Sequence, residues 1–319
     1  VEGAQLYAGN ASSVRTPSGT VVYNPRDGVF TVSFVDDKAN ISLGDNRFQD
    51  PAHRTDFGGS LTPQWGVPTD LTDFNFLESA GPEAGSPRVD AITFFYQRPG
   101  SQTTYVSLAG YVRNTFTPSD TPGVFAKDSN SVFQRGAMVF GAQTSRTQIP
   151  VTGTASYEGG MLATMVVNNT LDSSNPQSTY FQWITGSSKI DIDFGKSTMS
   201  MLLTGTASAA NYAGQTLAPG ATGVPGGSTF TATGAGTIDL ASTGGFTGQF
   251  SQAGFSNANN GAVPVFDRAN PGNSVAGANS IDGTFFGPNA VNVGGNFRIV
   301  GGVPDQRVDI LGAFTGAKK

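Results

Sequence analysis

Lys189-Ile190-Asp191-Ile192-Asp193-Phe194 alternates polar and apolar side chains without a break, and a period of two belongs to a β-strand rather than a helix. Ile190, Ile192 and Phe194 then share a face turned to a core, while Asp191 and Asp193 share the solvated face. The next strand is read at Thr198–Thr206 (TMSMLLTGT). The same texture continues on both sides, in Val151–Glu158, Met161–Val167, Thr179–Thr185, Thr229–Leu240, Gly245–Ser251, Ile281–Phe286, Asn296–Val300 and Val308–Thr315. Ala207–Gly227, rich in Gly, Ala and Pro, reads as a loop. About ten short strands in which small residues alternate with Phe fit an antiparallel barrel closed on itself, which leaves no free edge.

Upstream of Ile149-Pro150 the texture differs. Gly28–Val35, Val89–Gln97, Thr103–Arg113 and Val132–Gly141 read as strands. Asp45–Ser86 holds several prolines and no sustained period, and reads as a long loop region with one short strand at Asp73–Leu77. The change near residues 145–150 marks a domain boundary, with 1–148 as one domain and 149–319 as the other.

Composition removes whole classes of function. The chain has 319 residues, 43 Gly and 18 Pro, and only 13% charged residues; Gly and Pro well above the usual ~12% mean many turns. The 23 Phe are too many for a disordered polar chain. A net charge of −5, with no run of Lys and Arg longer than a pair, leaves the counterion-release contribution to nucleic-acid binding nothing to act through. No Cys means no thiol nucleophile, thiolate metal site or disulfide, and one His, His53, excludes a multi-imidazole zinc site. No nucleophile, base and orienting group can be assembled around that single imidazole, so the chain is not expected to be an enzyme. No apolar run approaches the ~20 residues of a transmembrane helix. Val1-Glu2-Gly3 has none of the regions of a signal peptide; with Asn, Ser, Thr and Gly abundant, an exported bacterial β protein, already processed, is expected.

Several stretches form an ordered set: Ile149-Pro150-Val151-Thr152-Gly153-Thr154-Ala155-Ser156-Tyr157, then Ile281-Asp282-Gly283-Thr284-Phe285-Phe286-Gly287-Pro288-Asn289-Ala290, then Val293-Gly294-Gly295-Asn296-Phe297, and a closing Gly312-Ala313-Phe314-Thr315-Gly316. In that order they resemble the barrel domain of transferrin-binding protein B and its relatives, single-lobed haemophilin-like haemophores and surface lipoproteins among them. Thr104–Leu108 and Gly136–Gly141 resemble the end of the family's handle domain. The resemblance implies an all-β chain: an N-terminal handle with long loops, then an eight-stranded antiparallel barrel. It also implies a bacterial cell-surface or secreted protein that captures a small-molecule or protein ligand and delivers it to an outer-membrane TonB-dependent-type receptor. The family's receptor has two lobes and a lipidated Cys, whereas this chain shows one lobe and no Cys. A structural coat or adhesive subunit that self-associates through the same low-charge surface is the alternative. Phe285, Phe297 and Phe314 are expected to fill the lumen, and Gly153, Gly159, Gly283, Gly287, Gly294 and Gly295 to sit at bends and reversals.

His53 lies in Gln49-Asp50-Pro51-Ala52-His53-Arg54-Thr55-Asp56-Phe57-Gly58-Gly59. Related haemophores imply a handle-domain His as axial ligand to haem iron, here His53, with Arg54 on a propionate and Phe48, Phe57 and Trp65 walling the ring. The other reading is a surface-loop His held by Asp50 or Asp56. Asp191 and Asp193 could act as a glycosidase pair only if opposed across a cleft, and two carboxylates on one strand face are not opposed. Tyr105, Tyr111, Tyr157 and Tyr180 could supply phenolate to iron, but are strand residues first.

Overall fold

The computed structural model describes residues 19–24, 26, 29–36, 41–49, 67–68, 70–78, 90–115, 132–168, 179–212, 215–216, 224–242, 244–257, 261–269, 279–302 and 307–319. Among these there is no α-helix, and no helix long and apolar enough to cross a membrane. Three sheets account for the strands. The first is β1 (Gly19–Asn24), β2 (Val29–Asp36) and β3 (Ile41–Gln49), in that order. The second is β4 (Phe74–Glu78), β5 (Asp90–Gln97), β6 (Val106–Thr115) and β7 (Val132–Gly141), also in chain order.

The third sheet is formed by β8 (Thr154–Asn168), β9 (Thr179–Asp193), β10 (Thr198–Ala207), β11 (Asn211–Tyr212), β12 (Gln215–Thr216), β13 (Thr229–Asp239), β14 (Gly245–Asn257), β15 (Gly261–Asp267), β16 (Ser280–Phe286), β17 (Asn292–Gly301) and β18 (Arg307–Lys318). Eight of these close into an antiparallel barrel in the order β8-β9-β10-β13-β14-β16-β17-β18, β18 pairing back onto β8. β11 and β12 form a small hairpin against β9. β14 pairs with β16 over three positions only; its other half pairs with β15, and the Gly302 amide donates to the Val265 carbonyl at 2.8 Å, which continues the wall.

Alternation puts Ile190, Ile192 and Phe194 inside, each at most 2% exposed, and Asp191 outside, as a half-buried sheet requires. Phe285, Phe297 and Phe314 do fill the lumen, joined by Phe194, Phe230, Phe246, Phe250 and Tyr157. Their rings touch in series: Phe285 lies 5.6 Å from Phe194 and 5.7 Å from Phe246, and Phe250 lies 5.8 Å from Phe297. A lumen this narrow accepts a ring only where the facing residue is small. Register supplies it, setting Phe246 opposite Gly283, Phe297 opposite Gly312, Phe314 opposite Gly295, Phe250 opposite Gly234 and Phe230 opposite Gly205. A Cβ on Gly283 would fall within the Phe246 ring, and one on Gly312 within the Phe297 ring.

The three sheets stack. One face of the second sheet, carrying Phe95, Leu108 and Val112, packs on the outer barrel wall at Leu162, Phe181, Trp183 and Ala313. Its other face, carrying Leu77, Phe94, Tyr96 and Ala109, packs on Phe30 and Val32 of the first sheet. The aromatic–glycine pairing recurs here, with Phe95 opposite Gly110 and Tyr111 opposite Gly136.

Several expectations are corrected. Most of Val151–Glu158, from Thr154 on, and Met161–Val167 belong to one strand, β8, running through Gly159 and Gly160, and Thr179–Thr185 and Lys189–Phe194 both belong largely to β9. β1, β3 and β15 lie outside the expected strands, and Asp45–Gln49 is the end of β3 rather than loop. The Ala207–Gly227 stretch holds the β11–β12 hairpin. Of the six glycines assigned to bends, only Gly153 and Gly287 have positive φ, at 83° and 74°. Gly159, Gly283, Gly294 and Gly295 are in strands; lack of space excludes a side chain at Gly159, Gly283 and Gly295, and at Gly294 a Cβ would press on Val106 and Phe286.

Gly312→Ala should cost about 1–3 kcal/mol by overpacking against Phe297. In urea denaturation, Phe297→Leu in the same chain should recover part of that loss, giving a non-additive double-mutant cycle; additive losses would mean the ring and the glycine are energetically independent.

Candidate functional site

The junction between the second sheet and the barrel is held by polar contacts as well as packing. The Asn292 Oδ1 accepts from the Thr104 and Tyr105 amides at 3.2 and 3.0 Å, and the side chain is 4% exposed. The Asn296 Nδ2 donates to the Ala137 carbonyl at 3.2 Å. Just beyond β7, the Ala142 amide donates to the Tyr105 carbonyl at 2.9 Å, and the Gly287 amide to the Ala142 carbonyl at 2.8 Å. Thr144 adds a hydroxyl donated to the Gly287 carbonyl at 2.6 Å. Buried Arg135 lies with its guanidinium 5.6 Å from the Phe181 ring centre, on the wall that β9 offers to β7.

At the mouth of this junction is a cleft of about 530 Å³, between the turn after β5 and the outer wall of β8, β9 and β10. Ser101 and Gln102 overhang it, Gly159, Ser187 and Ser188 form its floor, and Leu202 stands at its rim. Its charges are Glu158, Lys189 and Lys319. Lys319 Nζ is 3.3 Å from Glu158 Oε2, and Lys189 Nζ is 3.9 Å from Asp191 Oδ2. All four side chains are about half exposed, so these pairs contribute little to stability and remain free to exchange partners. Hydroxyls, an amide and two ammonium groups over a floor of small residues make a surface suited to holding a polar ligand by hydrogen bonds.

His53, Arg54, Phe57 and Trp65 lie outside the described residues. Phe48 is on β3, its backbone opposite Phe30. Among the described residues no group of three His, Cys, Asp or Glu is placed to hold a metal ion. Asp191 and Asp193 share the outer face of β9 and serve neighbouring structure. Asp193 closes the turn into β10, accepting from the Lys196 amide at 3.0 Å, with Lys196 Nζ at 3.2 Å. The Lys196 amide and then its ammonium hold the Asp193 carboxyl below the usual carboxylate range. Tyr157 is fully buried and donates to the Ala290 carbonyl at 2.7 Å. Burial pushes its phenol up, so phenolate chemistry does not suit it, and the Tyr105 ring lies where a Gly287 side chain would stand. Sequence reading missed Asn292, Asn296 and Gln102, for an Asn or Gln near a strand end carries no mark that it bonds a distant segment.

A family model described as the C-lobe and N-lobe β-barrels of Tf-binding protein B matches residues 149–319. No curated protein matches the sequence. Among solved structures, a double mutant of the vaccine antigen Transferrin Binding Protein B from Haemophilus parasuis Hp5 is 15% identical, with a TM-score of 0.37, over 95% of this chain and 53% of that one. A single mutant of the same antigen is 16% identical, with a TM-score of 0.38, over 95% and 54%. Intact Ap-TbpB, with N and C lobes, is 16% identical, with a TM-score of 0.38, over 93% and 54%. The chain spans about half the length of these proteins.

Asn292→Ala would leave two amides at the junction without an acceptor, and should lower stability by about 2–4 kcal/mol in denaturant titration. Asp193→Asn should be less stable than wild type at neutral pH. Because the folded-state pKa is lowered, the difference should shrink as pH drops below about 4 and vanish below the folded value; a difference that persists in acid would assign it to geometry rather than charge.

Proposed function

The chain belongs to the Tf-binding protein B family, and from that premise we propose that it captures an iron-bearing ligand at the bacterial cell surface, in the outer leaflet of the outer membrane or secreted from it, and passes it to a TonB-dependent-type receptor. In this reading it is a binding protein and not an enzyme. Residues 1–148 act as the handle domain and 149–319 as the barrel domain that carries it.

The observation that supports this reading is the family match over 149–319, together with a junction at which the second sheet is fixed to the barrel by both packing and hydrogen bonds. A rigid frame that holds loops at a constant position suits capture, since ligand residues on loops need a scaffold that does not move. The proposed ligand is haem, with the neutral imidazole of His53 on the iron, Arg54 on a propionate, and Phe48, Phe57 and Trp65 excluding water from the porphyrin. The second ring nitrogen of His53 would be fixed by Asp50 or Asp56.

A haemin titration followed in the Soret region tests this. Wild type should give a shifted, saturable band, and His53→Ala should lose it. No shift, or the same shift in both proteins, removes His53 from the site. Native mass spectrometry of protein isolated from its source would then identify whatever ligand it carries.

A further inference from the structure

Outward side chains on the barrel wall beside the second sheet form two rows that cross neighbouring strands. In one row Glu158 of β8 stands opposite Lys189 of β9, and Lys189 opposite Leu202 of β10; in the other, two residues along, Gly160 stands opposite Ser187, and Ser187 opposite Thr204. The rise of two strand residues separates the rows by about 7 Å. The second row is low, a glycine and two hydroxyls, and the cleft of about 530 Å³ passes over it beneath Ser101 and Gln102. Several polar groups here are unspent. Lys189 Nζ is 3.9 Å from Asp191 Oδ2, too far for a hydrogen bond, and the side chains of Gln102, Ser187 and Thr204 make no hydrogen bond to another described residue. Beside Gln102 lies Gln97 of β5: a Cβ on Gly160 would stand 3.1 Å from Gln102 Oε1 and 3.7 Å from Gln97 Nε2. Gln97 is 2% exposed, and its Oε1 has no hydrogen-bond partner. A buried acceptor without a donor is uncommon in a folded protein and calls for an explanation.

We propose that this cleft binds a sugar acid, a ring that bears hydroxyls and one carboxylate. Its volume falls in the ~300–1,000 Å³ range of small-molecule sites. Lys189 offers an ammonium without a hydrogen bond to one carboxylate, and the lining as a whole sets two ammonium groups, Lys189 and Lys319, against the single carboxylate of Glu158. That is a local positive excess on a chain of net charge −5, and it favours an acidic ligand over a neutral one. Ser187, Thr204 and Gln102 each both donate and accept, as sugar hydroxyls do. The ~7 Å between the two rows places the carboxylate and the hydroxyls on opposite sides of one ring. Leu202, 40% exposed at the rim, gives an apolar contact to ring C–H groups. A ligand hydroxyl entering beneath Gln102 supplies the donor that the Gln97 carbonyl lacks. Among the described residues no aromatic side chain lines the cleft, so a porphyrin has no wall to stack on, and this site is separate from the one proposed around His53.

Calorimetric titration with glucuronic acid and with N-acetylneuraminic acid, with glucose as the neutral control, tests the proposal. At least one acid should bind saturably, and glucose about tenfold or more weaker. Lys189→Gln and Thr204→Val should each weaken the acid by about tenfold with circular dichroism unchanged, while Val22→Lys, on the first sheet, should not alter it. Added salt should weaken the acid and not glucose. An array of glycans ending in the same acid then gives the source: retention on it, competed by the free acid, assigns the cleft to glycan ends, and binding of the free acid alone assigns it to the monosaccharide; either result supports the proposal. No binding of either acid at millimolar concentration overturns it. So does equal binding of glucose, an affinity that both cleft variants leave intact, or displacement of the acid by haemin, which would merge this site with the haem site.

Discussion

An aromatic ring set directly across from a glycine is the contact on which the molecule is built. In an eight-stranded barrel the lumen is barely wider than the side chains that fill it, so two large residues cannot face each other at one level. The chain meets this by register, placing Phe246, Phe297 and Phe314 against Gly283, Gly312 and Gly295. The ring covers backbone that a glycine leaves bare, and the glycine admits a ring that any Cβ would displace. Each such pair also ties two strands to one alignment, because a slip of one residue would bring the ring onto a side chain.

The same device continues outside the barrel, where Phe95 over Gly110 and Tyr111 over Gly136 set the alignment of β5, β6 and β7. With that alignment fixed, the second sheet presents one apolar face to the barrel and one to the first sheet. The polar contacts at the junction fall at its margins, where Asn292 and Asn296 reach across to backbone groups. Packing sets the layers and hydrogen bonds set their position. The cleft beside them is a by-product of small residues, for Gly159, Ser187 and Ser188 leave its floor low while Ser101 and Gln102 overhang it.

Strand identity was legible wherever polar and apolar residues alternate, as at Lys189–Phe194, and Val132–Gly141 is reproduced residue for residue as β7. Strand length was not. Gly159-Gly160 and Gly186-Ser187-Ser188 look like turns in one dimension, yet they lie beside each other in β8 and β9, where Gly159 faces Ser188 and Gly160 faces Ser187. A belt of small residues crossing a sheet cannot be told from a row of turns until its strands are paired. β3 hid behind its polar residues, Asp45, Asn46 and Arg47, and β15 behind Pro264. The resemblance fixed the strand count at eight where composition left about ten. It said nothing of the junction, whose asparagines act on segments nearly 200 residues away in sequence; the Thr104 amide and Asn292 are 188 apart.

The position of β18 sets the order of events as the protein is made. It fills the place between β17 and β8, the first strand of the barrel, and its Ala313 forms part of the floor on which the second sheet rests. Until β18 has emerged from the ribosome, β8 and β17 both present an unpaired edge, and the ring cannot close. Closure then joins strands separated by most of the barrel sequence, a non-local step that loop-closure entropy makes slow.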